Sequence, residues 1–314
     1  MDAIALHEEG QAAAEAGRHA EACALFAEAA DRAAIEDGPN SPDLANILSD
    51  YAESLMDLLQ FATAVAKATQ AVQILETHGE ALRSEIGATL YSRALGLLGS
   101  AHRHAGNYTA ARPPLEQAIA VIEAEFGATD FRLVSGLNNV GVLCKYAGWY
   151  AEGEAFYRRA LAIVEAQDGV DSLSSATLWH NLGGLEHSRG EYAKGEPMGR
   201  KAYEIRRAHE GEESLRTLAD ACAWAGLLDG LERYGESEPI YRRALAIYER
   251  ELGPTDFEVA ATLNNLGMAR LAGGDVAEAT VLLERAYLIK RELFGEDHPE
   301  TQLSRRNFES VSAA

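Results

Sequence analysis

The sequence predicts an all-α solenoid of about seven helical hairpins closed by one further helix. Three observations predict it: a recurring trio of small residues, a helix-favouring composition, and glycine punctuation at a fixed period. The first small column reads Gly10, Ala52, Gly99, Gly141, Gly183, Ala225, Gly267, stepping by 42 residues except for one five-residue slip. Twelve residues later comes Ala22, Ala64, Ala111, Gly153, Gly195, Ser237, Ala279, and seven further on Ala29, Ala71, Ala118, Ala160, Ala202, Ala244, Ala286. Small residues kept in register while their neighbours vary mark close helix contacts, the way one helical pair stacks on the next in a repeat array. Ala is abundant and only 8 of 314 residues are Pro, so propensity favours helix nearly everywhere.

The elements follow in order, with repeats at roughly 1–41, 42–83, 84–125, 126–167, 168–209, 210–251 and 252–293, read as one array over 1–314. Gly127, Gly169, Gly211, Gly253 and Gly295 follow the second helix of a repeat and suit the left-handed residue that ends a helix. Thr129-Asp130, Asp171-Ser172, Ser214, Thr255-Asp256 and Asp297-His298-Pro299 then supply caps for the next helix. Gly106, Gly148, Gly190 and Gly274 mark the turn inside a hairpin. Pro113, Pro197 and Pro239 share one column and are expected in the first turn of the second helix, where a missing N–H is tolerated. The five-residue slip falls at Thr77-His78-Gly79-Glu80, read as a lengthened loop. A polar capping helix is expected over 300–312.

A formal charge of −21 repels nucleic-acid backbones and anionic membrane surfaces, so neither polymer nor membrane is an expected partner. The segment from Met1 to Gly10 is acidic and lacks a basic region followed by an apolar run. No apolar segment has spanning length, so the expectation is a soluble, cytoplasmic chain. Cys23, Cys144 and Cys222 are far apart and outside any paired-Cys motif, which reads as small apolar residues rather than metal or redox ligands.

Trp179-x-x-Leu182-Gly183 and Ala22-x-x-x-Phe26 resemble pieces of the tetratricopeptide signature, with Glu186 where that signature places Tyr. The period is 42 rather than 34, and the eight extra residues add about two helical turns per hairpin. Segments such as Tyr157-Arg158-Arg159-Ala160-Leu161-Ala162-Ile163, Thr262-Leu263-Asn264-Asn265-Leu266-Gly267 and Gly295-Glu296-Asp297-His298-Pro299 are similar to the longer repeat of kinesin light chains and their bacterial relatives. The resemblance is strongest over 126–300. It implies a right-handed superhelix whose first helices line a concave groove for an extended peptide or a partner's helix. It also implies that an Asn on the first helix bonds the guest's backbone, and the matching residues are Asn139, Asn181 and Asn265, joined by Asn138 and Asn264.

Helical spacing predicts the groove floor. In repeats three to five the inward positions include Arg93, Arg103 and His104, then Asn138, Lys145 and Tyr146, then His180 and His187, with no carboxylate. Together with Asn264 these form the candidate binding set. A basic floor inside an acidic body would focus attraction on an anionic guest. Catalysis has little support: His180 and His187 are seven residues apart, there is no phosphate-cradling loop or nucleophile elbow, and only Cys222 beside His180 or His187 suggests a triad. The expected function is a non-enzymatic scaffold, without cofactor or metal, that binds an acidic protein or peptide segment. The alternative is a sensor for a small anionic ligand such as a nucleotide or phosphometabolite. Self-association through the Ala-rich amino-terminal repeats is a third expectation.

Overall fold

The computed structural model describes residues 2–311 and shows fifteen α-helices and no strand among them. Contacts divide the chain into two compact units, Met1–Gln167 and Asp168–Ala314. In the first, α1 (Ala3–Glu15) pairs with α2 (His19–Glu36), α3 (Pro42–Asp57) with α4 (Phe61–Glu76), α5 (Glu85–His104) with α6 (Tyr108–Phe126), and α7 (Leu133–Ala147) with α8 (Tyr150–Gln167). Each second helix also packs on the following first helix within the unit, and α3, α5 and α7 lie side by side. The second unit repeats the scheme with α9 (Leu173–Arg189) and α10 (Tyr192–Glu210), α11 (Leu215–Gly230) and α12 (Tyr234–Leu252), and α13 (Phe257–Ala272) and α14 (Val276–Phe294). The last helix, α15 (Pro299–Ser310), closes on α14 and α13.

All three small columns are buried throughout. The reason is a side chain of the second helix that fills the space over the first. A Cβ on Gly10 would lie 2.6 Å from the Phe26 ring, and one on Gly141 2.5 Å from Tyr157. Where the filling residue is itself Gly199, the next hairpin supplies the bulk: a Cβ there would meet Leu227 at 2.8 Å. Each hairpin is thus locked by one bulky residue seated on one small one.

Three details differ from the sequence expectation. The glycines that end second helices are not αL residues. Gly127 has φ 91° and ψ 165° and Gly211 has φ 84° and ψ 169°, a region essentially closed to residues with a Cβ. The turn inside the hairpin takes positive φ even without glycine, at Leu59 and Glu232, both at φ 59°. Packing on either side of the turn imposes what the residue type does not favour. Finally, Pro113, Pro197 and Pro239 are each the sixth residue of α6, α10 and α12, past the first turn. They are tolerated because the carbonyls left without a helical donor belong to exposed residues, Thr109, Ala193 and Gly235, which water reaches.

The slip between the second and third hairpins is a 3-10 turn, Gly79–Arg83, anchored where His78 Nε2 hydrogen-bonds the Asn40 carbonyl at 2.6 Å. Ser84 then caps α5, accepting from Gly87 N at 3.1 Å. The capping helix ends at Ser310, and Ser312, which the sequence placed in it, lies outside the described residues. Thr301 fixes it by donating to the Lys290 carbonyl at 3.1 Å, and Lys290 Nζ meets Glu300 at 2.6 Å. Among the described residues no helix is long and apolar enough to cross a membrane.

Candidate functional site

Within the first unit, a groove of ≈ 590 Å³ runs between α3, α5 and α7, with Ala118 and Ile122 of α6 at its base. It exists because the facing first helices carry Gly96, Ser100, Ser135 and Gly136 where larger residues would close it. Ser92 Oγ satisfies itself on the Ala118 carbonyl at 3.1 Å, so the base is polar yet occupied.

One end of the groove is neutralised. Arg93 ion-pairs with Asp50, reaches Glu53 at 3.1 Å, and donates to Asn46 Oδ1 at 3.1 Å. Asp50 also takes hydrogen bonds from His7 at 2.6 Å and Gln11 at 2.8 Å. Burial alone would raise the Asp50 carboxyl, but the His7 bond, the Arg93 charge and bond, and Gln11 outweigh it and bring it down to about 2. Arg93 was expected to be an available floor cation; its charge instead ties α5 to α3, because carboxylates on the neighbouring helix reach across.

The other end is different. The Arg103 guanidinium lies 5.7 Å from the Tyr146 ring centroid and Lys145 Nζ lies 5.2 Å from the same ring, which is 55% exposed. Neither cation has a carboxylate partner among the described residues. Burial lowers the pKa of both, and Arg103 lowers that of Lys145 further. Arg103 Nη2 donates to His104 Nε2 at 2.8 Å, and the His104 ring stacks on Phe61 at 5.4 Å. Burial and then Arg103 lower the His104 pKa, with Asp57 opposing. An accepting, neutral imidazole is what that bond requires.

The remaining sequence candidates are placed otherwise. The amide that lines the groove is Asn139 rather than Asn138; its Nδ2 lies 4.0 Å from where a Cβ on Gly96 would stand, and it makes no side-chain hydrogen bond among the described residues. In the second unit, His180 Nδ1 lies 2.8 Å from Asp220 Oδ1, and Asp220 is buried and held by Arg206 Nε at 2.6 Å. His187 packs edge-on against Tyr192 at 5.4 Å and lies close enough to Asp229 to oppose the upward push that burial gives that carboxyl. Asn264 accepts from Asn307 of the capping helix at 2.8 Å. The floor free of acids read from the sequence is therefore corrected: Asp50, Asp220 and Asp229 come from adjacent hairpins or from turns of the helix outside the counted positions. What survives is the Arg103–Lys145–Tyr146 cluster. Asp50 and Asp220 were legible only as lone carboxylates two and five residues before the leading small column, at buried spacing.

Burial pushes the Cys222 thiol up to about 12, against a Thr262 hydrogen bond that lowers it, the opposite of what a nucleophile needs. Among the described residues no group of three or more His, Cys, Asp or Glu side chains could hold a metal ion. The site can bind an anion; nothing in its geometry activates one.

A family model described as tetratricopeptide repeat matches residues 88–166, 132–208, 174–250 and 219–289. No curated protein matches the chain. Among solved structures, BtubC (BKLC) from P. vanneervenii is similar at TM-score 0.62 and 22% identity, covering 76% of this chain and 94% of that one. A putative kinesin light chain from Podosopora anserina, with nearly identical TPR-like repeats, aligns at TM-score 0.55 and 18% identity over 64% of this chain and 95% of its own. A Rap protein complexed with Competence and Sporulation Factor aligns at TM-score 0.59 and 15% identity, over 98% of this chain and 74% of its own. At these identities the likeness is one of fold, and the fold is an all-α repeat solenoid of the kinesin-light-chain-like type.

Proposed function

Because this chain belongs to the tetratricopeptide repeat family, we propose that it is a non-catalytic interaction scaffold that takes an acidic segment of a partner protein across α5 and α7. One observation carries the reading: in a chain of charge −21, Arg103 and Lys145 stand together without a carboxylate while Arg93 on the same helix is saturated with them. Half-buried cations left unpaired carry a desolvation penalty, which a guest's carboxylates remove. Asn139 supplies a donor and an acceptor for the guest's backbone between the two ends of the groove.

The test uses a fluorescein-labelled hexaglutamate peptide, with hexalysine as the opposite-charge control. Anisotropy should report hexaglutamate binding that weakens with added salt and is lost in the Arg103→Glu, Lys145→Glu double variant. Binding unchanged in that variant sinks the proposal. The groove volume of ≈ 590 Å³ favours a second reading, a small anionic ligand, since pockets of a few hundred Å³ suit such molecules. Retention of a nucleotide on the purified protein would favour it over the scaffold.

A further inference from the structure

We propose that the Arg103–Lys145–Tyr146 cluster is a site for a phosphate monoester dianion, a deepening that rests on the anion-binding reading above. The argument is one of charge matching. Two cations converge on one exposed ring, and the titratable groups that bear on Arg103 are the phenols Tyr146, Tyr157 and Tyr108 rather than any carboxylate. For Lys145 the only charged neighbour that matters is Arg103 itself. A single carboxylate arriving there would neutralise one cation and leave the other half-buried and unpaired. A dianion with three acceptor oxygens satisfies both, taking the guanidinium donors that His104 does not use together with the ammonium donors of Lys145. The arrangement fixes the donors in advance: the Arg103–His104 bond and the His104–Phe61 stack hold the guanidinium, and the Tyr146 ring separates it from Lys145.

Nothing comparable is available elsewhere along the groove. Arg93 is closed off by Asp50, Glu53 and Asn46, and Arg132 at the far rim pairs with Glu85 at 2.7 Å and Asp130 at 3.1 Å. The dianion site is thus confined to the carboxyl-terminal end of α5 and the last turn of α7. A phosphate monoester there could belong to a phosphorylated side chain of the partner or to a free phosphometabolite, and the chemistry recognised is the same.

The experiment compares phenyl phosphate with benzenesulfonate, which share a ring and a tetrahedral group of oxygens but differ by one charge. Titrations of the full chain by calorimetry at pH 7.5 and constant ionic strength should show phenyl phosphate binding about tenfold or more tightly than benzenesulfonate. Arg103→Gln and Lys145→Gln should each reduce phenyl phosphate to the benzenesulfonate level, while Arg158→Gln, on α8, should change neither. Thermal melts confirm that the variants fold. Equal affinities for the two probes, or a preference that persists in both Gln variants, would overturn the proposal. To separate the sources, a short phosphoserine peptide is compared with glycerol phosphate. Tighter binding of the peptide, lost in Asn139→Ala, assigns the site to a phosphorylated partner, and equal binding assigns it to a small phosphate. The two readings fail separately. If the probes bind equally but hexaglutamate binding is still lost in the Arg103→Glu, Lys145→Glu variant, the dianion proposal falls and the scaffold stands; dianion preference with hexaglutamate binding intact gives the reverse.

Discussion

The two ends of α5 carry the same residue type and put it to opposite uses. Arg93 faces α3, which presents Asp50 and Glu53; Arg103 faces α7, which presents Lys145 and Tyr146. Ten residues, about 15 Å of helix, separate a structural cation from an available one. What the difference teaches is that in a stacked array a side chain's role belongs to the neighbouring hairpin as much as to its own, since each first helix is flanked by two others.

The comparison can be broken most severely at Asp50. Asp50→Ala strips Arg93 and His7 of a partner that is only 10% exposed, and the expected loss is about 3 kcal/mol of stability in urea unfolding. Arg103→Gln, at the other end, should leave the same curve in place. If the two variants unfold alike, the division between structural and available cations is wrong.

Next in size is the effect on binding. Arg103→Glu with Lys145→Glu should weaken hexaglutamate binding about a hundredfold, or roughly 2.7 kcal/mol, while Arg158→Glu with Arg159→Glu on α8 changes it far less. Calorimetry at low and high salt reads both, and an equal loss in the control pair would remove the groove from the account.

Acid sharpens the contrast further. The Asp50 carboxyl is held at about 2 in the folded chain against an ordinary 3.8, so the unfolded chain takes up its proton first as the pH falls. Its stabilisation is therefore complete above about pH 3.8 and is lost as the pH drops toward 2, a change of about 2 kcal/mol. Unfolding midpoints across that window should fall steeply in the natural sequence and less so in Asp50→Asn.

The smallest effect lies at Lys145. Burial and Arg103 disfavour its charge in the folded state, so Lys145→Met should stabilise the chain by about 0.5 kcal/mol while it weakens anion binding. A lowered melting temperature would mean that Lys145 has a structural partner after all.

Much of this was legible before any coordinates. The three small columns gave the hairpins and the buried contacts, since a position that admits nothing larger than Ser is one against which another helix presses. Gly127 and its successors marked helix ends correctly in place, though their ψ near 165° could not be read from residue type. The positive φ of Leu59 and Glu232 was invisible for the same reason: neither residue favours it, and only the packed helices on both sides demand it. In the groove, helical spacing found Arg103, Lys145 and Tyr146. It chose Asn138 over Asn139 because a rotation of one residue, about 100°, is finer than a face assigned from an average pitch.

By itself, then, the sequence determined the architecture, because stacking periodicity is local and repeats itself in every hairpin. It determined the net charge and the identity of the cations that lie inward. Only the tertiary structure decided which of those cations remain available, because that depends on carboxylates some 40 residues away in the chain, such as Asp50 beside Arg93, whose distance is set by how one hairpin seats on the next.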